Sequence, residues 1–405
     1  MTRVVVTGLG AVSSLGANVP QIWAALCRGE SGIRDLTRFD VKDFAYTRGG
    51  EIVHFQMPPA LARSGETVDL ATQFMLTAAA EALHDSGRGG RDTSDVETGV
   101  VLSTNFGGII SGENVMTDLQ GRNPAHASDF TEFLFQSCAD RVAERWQLDG
   151  PRVMLSLSCA SGTAAIGYAL DLIRFGHAKS VLAGGYDALS RFAWSGLSAL
   201  RTMTKDAVRP FDKNRAGTIF SEGAGALLLE TEDSARARGA RIYAEVAGAG
   251  LNNNAFHITA PAKEGAGSAA VMRAALADAG LRPEAVDHIN AHGTGTKPND
   301  VTETQAIKAV FGAHAYQMPI TSIKGGAGHL MGAAGSIEAI ASILSIRDGV
   351  IPPTMNFRDT DPECDLPLVA NEKKTMPVNC VLSNSAGIGG CNAAVIFRKV
   401  EAVAG

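Results

Sequence analysis

Arg152-Val-Met-Leu-Ser-Leu-Ser-Cys159-Ala-Ser-Gly162-Thr-Ala-Ala-Ile166-Gly-Tyr-Ala-Leu170-Asp-Leu-Ile173 is the stretch on which the fold turns. An apolar run, Val153 to Leu157, stops at a cysteine. Small residues follow, and apolar positions then recur at Ile166, Leu170 and Ile173 with helical spacing. The pattern predicts a buried strand, a tight turn and a helix, with Cys159 at the helix N-terminus. Unpaired N–H groups and the helix dipole at that point are expected to stabilise a thiolate and lower the thiol pKa. Small neighbours leave room for a substrate. A nucleophile elbow is built this way, but a buried structural cysteine also fits, and the stretch alone leaves both open.

Two further turns decide between them. His292 lies in Asn290-Ala-His292-Gly-Thr294-Gly-Thr296, directly after the apolar-flanked Val286-Asp-His-Ile289. His329 lies in Ser322-Ile-Lys324-Gly-Gly-Ala-Gly-His329-Leu-Met-Gly-Ala-Ala-Gly335. A third glycine-rich turn, Ser383-Asn-Ser-Ala-Gly-Ile388-Gly-Gly-Cys391-Asn, precedes a final strand over Ala393 to Phe397. One histidine in such a turn is weak evidence, because polar turn residues have ordinary local roles. A cysteine turn and two histidine turns, each after a strand candidate, form a specific set. Together they resemble the Cys-His-His condensing enzymes of the thiolase superfamily. The similarity is to the elongating β-ketoacyl-carrier-protein synthases of type II fatty acid and polyketide synthesis. It extends from Val4-Val-Val-Thr-Gly-Leu-Gly10 to Ile396 and includes Arg209-Pro-Phe-Asp212-Lys-Asn-Arg215, Glu222-Gly-Ala-Gly225 and Pro362-Glu-Cys-Asp-Leu366.

Composition narrows the alternatives. A chain of 405 residues exceeds what one hydrophobic core supports, so a large two-part body is expected. The net charge of −6 comes without a basic run, which argues against nucleic acid as a partner. Charged residues or histidine interrupt every long apolar stretch, so no membrane span is expected. Met1-Thr-Arg-Val-Val-Val-Thr begins as a strand rather than a signal peptide, which points to the cytoplasm. The 6 cysteines lack C-x-x-C spacing and the density of a disulfide scaffold. Metal binding is not expected, since His288 and His292 straddle a strand end and a turn rather than sharing a helix face. No dinucleotide or Walker pattern marks a strand-to-helix junction, and no cofactor is expected.

Short apolar strands alternate with longer helical patterns, the habit of an α/β fold with largely parallel strands. An internal echo suggests duplication: Val4-Val-Val-Thr-Gly-Leu-Gly10 opens one part and Tyr243-Ala-Glu-Val-Ala-Gly-Ala-Gly250 the other. Cys159-Ala-Ser-Gly162 is matched in this reading with Ser385-Ala-Gly387. The resemblance implies a thiolase-like α/β fold in five layers, α/β/α/β/α. The halves are expected over 1–238, with the nucleophile, and 239–405, with the two histidines. Asp35 to Ser64 and Met116 to Phe135 are expected as surface insertions on the first half.

The resemblance also implies chemistry. An acyl group moves from a carrier-protein thioester to Cys159, with the amides of Cys159 and Ile388 as oxyanion donors. Malonyl-carrier protein then loses carbon dioxide. His292 and His329, as neutral N–H donors, stabilise the enolate that attacks acyl-Cys159. Lys324 is expected as a buried cation orienting the histidine, although a solvated loop lysine is the commoner case. Glu303 is expected to join that lysine in a polar network; an acid near a helix N-terminus is the simpler explanation. Thr294 and Thr296 fall where hydroxyls bind the phosphopantetheine arm. The family's second aromatic in the last glycine turn gates the nucleophile, and here Ile388 stands in its place, with Ala386 before it. Phe106, in Thr104-Asn-Phe106-Gly-Gly108, falls near the far end of the acyl pocket, where it would shorten the tunnel or simply fill core. The acidic carrier would meet a basic surface, with Lys205, Arg209 and Lys213 as candidates, and a homodimer or a heterodimer with a ketosynthase-like partner is implied. Two other functions fit less of the pattern. An acyltransferase to an alcohol or amine would not require the two histidines, and a non-catalytic chain-length partner would lack Cys159.

Overall fold

The computed structural model describes residues 2–88, 98–121, 123–124 and 127–401. Ten strands carry the fold: β1 (Val4–Ser13), β2 (Thr98–Ser103), β3 (Arg152–Leu155), β4 (Ser180–Asp187) and β5 (Gly223–Thr231), then β6 (Ala244–Asn253), β7 (His288–Asn290), β8 (Ile320–Thr321), β9 (Cys380–Ala386) and β10 (Cys391–Arg398). Hydrogen bonding orders them β8-β7-β9-β10-β6-β1-β5-β4-β2-β3. Each set of five therefore has the same internal order, third-second-fourth-fifth-first. The directions match too. β3, β2 and β4 run parallel, as do β8, β7 and β9, while β5 and β1, like β10 and β6, run antiparallel to their neighbours. Among the described residues, the sets pair edge to edge at Val5–Glu245 and Val6–Ala244.

Two helices fill the space between the sets, α3 (Ser161–Arg174) and α6 (Ala334–Asp348), and both touch strands of each. Every residue of α6 from Ala334 to Ile346 is buried. A helix apolar all round belongs inside a protein, and that is where α6 lies. Outer helices cover the other faces: α1 (Leu70–Asp85) and α2 (Phe135–Trp146) on the first set, α4 (Ala266–Asp278) and α5 (Lys297–Phe311) on the second. The result is the five-layered α/β/α/β/α arrangement. The side-chain period of two shows it directly. In β2, Val101 faces the central core while Val100 and Leu102 face the outer one; in β9, Val381 and Leu382 divide the same way.

Topology corrects one part of the internal echo. β1 and β6 are indeed counterparts. The turn after β3, with Cys159, corresponds to the turn after β8, with His329, because each leads into a central helix. Ser385-Ala-Gly387 lies instead at the end of a fourth strand. The two central helices meet at their first turns, where a Cβ on Gly162 would come within 2.7 Å of the Ser336 nitrogen and one on Gly335 within 2.3 Å of the Thr163 nitrogen. Only glycine permits that approach, and it brings the Cys159 and His329 turns together.

The expected insertions are more structured than loops. Residues 35–64 contribute to a two-stranded ribbon, Arg34–Asp35 with Arg48–Gly49, and a short turn of helix at Pro59–Leu61. Within the stretch from Met116 to Phe135, helices end at Gln120 and span Ala127–Phe133, with residues 122, 125 and 126 outside the described residues. No helix among the described residues is long and apolar enough to cross a membrane.

Candidate active site

The Cys159 turn is held by one serine. Ser161 Oγ accepts the Leu157 N–H at 2.8 Å and donates to the Ser158 carbonyl at 2.6 Å. Ser158 adopts φ +50°, a left-handed conformation uncommon for a residue with a side chain and frequent where a turn presents a functional group. Cys159 follows, one residue before the Ala160 N-cap of α3, as the sequence predicts. It is a free thiol, 9% exposed.

The sulfur of Cys159 and ring nitrogens of His292 and His329 lie within 4.8 Å of one another. The imidazoles meet edge to face, 5.3 Å between centroids. Cys159, His292, His329, Thr294, Thr296, Phe106 and Ile388 all line one cavity of about 560 Å³. Lys324 and Glu303 lie behind it, buried.

Hydrogen bonds fix both imidazole tautomers. Met331 N–H donates to His329 Nδ1 at 3.1 Å, and Lys324 Nζ lies 3.3 Å from His292 Nδ1 while also donating to the His292 carbonyl at 2.6 Å. With each Nδ1 acting as an acceptor, each neutral ring carries its proton on Nε2. Burial, then the Lys324 ammonium, holds both histidines well below the usual range, with His329 adding to the effect on His292. Both rings are therefore held neutral, with the Nε2 proton left free to donate.

The expectation for the thiol fails. Burial pushes Cys159 up to about 11, against the opposing pull of Lys324 and a hydrogen bond from the Ile388 N–H. Loss of water costs the thiolate more than its charged and polar neighbours return. The Ile388 N–H nevertheless points at the sulfur, so the last glycine turn does meet the nucleophile.

The polar layer behind the cavity links Lys324 and Glu303 through His292 and adds a partner the sequence reading did not name. Lys324 is fully buried and bonds directly to Glu338 on α6, not to Glu303. Glu303 instead accepts the N–H groups of His292 at 2.7 Å and Gly293 at 2.8 Å, and its Oε1 accepts Asn384 Nδ2 at 2.7 Å. Glu303 thus shapes the turn that presents His292, and Lys324 reaches the ring and the carbonyl from behind. Burial raises Glu303 and takes Glu338 up to about 7. Glu338 was missed, although a carboxylate in an otherwise apolar helix signals a buried partner. Asp187, at the end of β4, was missed as well. It accepts Thr104 Oγ1 at 2.7 Å, the Phe106 N–H at 3.0 Å and the Gly332 N–H at 2.7 Å. One carboxylate thereby ties the Phe106 turn to the turn beyond His329. Burial raises it to about 6.

The surface candidates divide. Lys205 and Lys213 are exposed, but Arg209 is buried and paired with Asp206 at 2.7 Å, which removes it as a free surface charge. Cys159, His292 and His329 also supply zinc-type donors in one place, a grouping invisible in linear spacing. The Lys324 ammonium against His292 would repel a dication beside it.

Two family models match the chain: the β-ketoacyl synthase N-terminal domain over residues 1–235 and the C-terminal domain over 243–358. The chain belongs to the β-ketoacyl synthase family. It is 38% identical over 98% of both chains to 3-oxoacyl-[acyl-carrier-protein] synthase 2 of Synechocystis sp.. The solved ishigamide ketosynthase/chain length factor superposes with a TM-score of 0.90 at 36% identity, covering 99% of this chain and all of that one. A second structure is AntDE:AntF, a type II PKS acyl-carrier protein in complex with its ketosynthase bound to the hexaketide. It matches at a TM-score of 0.89 and 32% identity, again over 99% of this chain and all of the other. These likenesses cover both sets of strands and the turns that line the cavity.

Proposed function

We propose that this chain is a condensing acyltransferase: it extends a carrier-protein-bound acyl chain by decarboxylative Claisen condensation with malonyl-acyl carrier protein, giving a 3-ketoacyl-carrier protein. The observation that carries the reading is the convergence of Cys159, His292 and His329 at one cavity. The family membership and the carrier-protein synthase relatives support the same reaction. The N-terminal half, 1–238, supplies the nucleophile, and the C-terminal half, 239–405, supplies the two histidines.

In the first step Cys159 attacks the acyl thioester. The bond to the phosphopantetheine sulfur breaks, and the thiol proton ends on the departing carrier thiol. Exchange of one thioester for another needs no net acid or base. This suits a thiol protonated at rest, and two imidazoles whose Nε2 atoms already carry protons. The amides of Cys159 and Ile388 hold the transient oxyanion. In the second step the malonyl carboxylate leaves as carbon dioxide and its electron pair becomes an enolate. The Nε2–H groups of His292 and His329 donate to the enolate oxygen. Its carbon attacks acyl-Cys159, the C–S bond breaks, and the released thiolate takes up one proton from solvent. Lys324 and Glu303 position His292, the first through the ring and carbonyl and the second through the backbone.

Thr294 and Thr296 hold the phosphopantetheine arm; each hydroxyl has capacity beyond their mutual bond at 2.9 Å. Phe106 bounds the acyl end of the cavity, and Ile388 is an aliphatic gate at the nucleophile. Lys205 and Lys213 are the surface cations offered to the acidic carrier. A second copy or a ketosynthase-like chain is the expected subunit partner. A cytoplasmic setting, where thiols stay reduced, goes with this chemistry.

The test is intact-protein mass spectrometry with carrier proteins bearing chains of graded length, followed by malonyl-carrier protein. The expected result is an acyl adduct at Cys159, its disappearance on malonyl addition, and a 3-ketoacyl product. The Cys159→Ala variant should form no adduct. Loading without elongation would contradict the condensing role.

A further inference from the structure

The segment Gly217-Thr-Ile-Phe220 crosses the cavity wall between the two histidine-bearing turns. Gly217 N–H donates to the Gly295 carbonyl at 3.0 Å, and His329 N–H donates to the Ile219 carbonyl at 2.8 Å. The Phe220 ring lies 5.4 Å from that of His329. Thr218 is therefore placed between the Thr294–Thr296 turn and His329, and it lines the cavity. Its backbone is fully engaged, donating to Thr202 O at 2.8 Å and accepting from Thr204 N–H at 2.9 Å. Its side chain is not. Thr218 is 2% exposed, and its Oγ1 has no hydrogen-bond partner. An orphaned buried hydroxyl carries a desolvation cost that a valine of the same shape would avoid. The hydroxyl is therefore an unused donor in the wall of the cavity.

We propose that Thr218 is a specificity-determining residue for the extender unit, its hydroxyl donating to the malonyl carboxylate while His292 and His329 hold the thioester oxygen. The proposal rests on the condensing reading above. A 120° step in χ1 moves the hydroxyl to another staggered position, so the donor can turn from the wall into the cavity when an acceptor arrives. A carboxylate is the strongest acceptor the extender offers, and a hydrogen bond to a charged group exceeds one to a neutral carbonyl. The carboxylate's charge is lost as carbon dioxide leaves. The bond therefore belongs to the ground state: it selects malonyl over an uncharged acyl unit and adds nothing to the chemical step.

Thr218→Val removes the hydroxyl and keeps the shape, while Thr218→Ser keeps the hydroxyl. In Thr218→Val the KM for malonyl-carrier protein should rise about tenfold, which corresponds to about 1.4 kcal/mol. The kcat should be unchanged or higher, and acylation of Cys159 should proceed at the wild-type rate. Thr218→Ser should restore KM. An unchanged malonyl KM in Thr218→Val would overturn the proposal. So would a loss of kcat at constant KM, or a matching fall in acylation, which would place the residue on the acyl side. A wild-type protein that loads Cys159 and makes no 3-ketoacyl product would fail the condensing reading first; the other results fail this proposal alone.

Discussion

The two sets of five strands offer the cavity two equivalent turns in different chemistry, each set backed by a buried carboxylate. After the second strand, the first set presents Asn105 and Phe106 where the second presents His292 and Thr294. After the third strand, the first presents Cys159 and the second His329. In each set a buried carboxylate accepts backbone N–H groups from the second-strand turn: Asp187 takes Phe106, and Glu303 takes His292 and Gly293. The scaffold thus repeats while the side chains divide the work. On the proposed function, one half binds and carries the acyl chain, and the other activates the extender. What the duplication contributes is placement, since two central helices meeting at Gly162 and Gly335 bring otherwise distant turns together.

Removing the two acids should separate their halves. Glu303→Ala releases the His292 turn, and a misplacement of about 1 Å can cost on the order of 10²-fold in rate. Condensation should fall by about that factor, with Cys159 acylation retained. Asp187→Ala should disturb the Phe106 turn and alter acyl loading as well. Equal effects on both steps in both variants would break the comparison. Each variant orphans buried N–H groups, so each should also lower thermal stability by about 1–3 kcal/mol, read by denaturant titration.

The thiol gives a smaller effect, about tenfold for each pH unit. With the Cys159 pKa raised to about 11, the thiolate fraction near neutral pH is low. Iodoacetamide modification of Cys159 should rise with pH through pH 10 without a plateau. A plateau near pH 7 would mean that the helix terminus prevails over burial after all. The smallest expected change is in chain length. Phe106→Gly should shift the preferred acyl chain upward by a few carbons, measured across graded acyl-carrier proteins. An unchanged profile would leave Phe106 as core filling.

The front of the site was legible because its residues sit where a strand pattern stops and small residues begin. Cys159, His292, His329 and Ile388 each follow that rule, and the structure brings them to one cavity. The layer behind was not. Asp187 and Glu338 are single acids in apolar segments. Their partners, Gly332 and Lys324, are fixed by packing between layers rather than by neighbours in sequence. The same distinction explains the thiol. A helix N-terminus is a local feature and can be read from sequence, whereas desolvation depends on the assembled cavity. The duplication was visible in its opening strands, but the short Ser-Ala-Gly match pointed to the wrong turn because small residues recur in every tight turn. Arg209 reads as surface charge until its burial against Asp206 is seen.

The division of labour is tested most directly by a single-turnover experiment on His329→Ala. The variant is mixed with acyl-carrier protein and then with carboxyl-labelled malonyl-carrier protein, and the Cys159 adduct and released carbon dioxide are followed together. Acylation to the wild-type extent, with carbon dioxide release slowed about 10²- to 10³-fold, is the predicted result. Loss of both steps, or loss of neither, would contradict a first half that carries the chain and a second half that activates the extender.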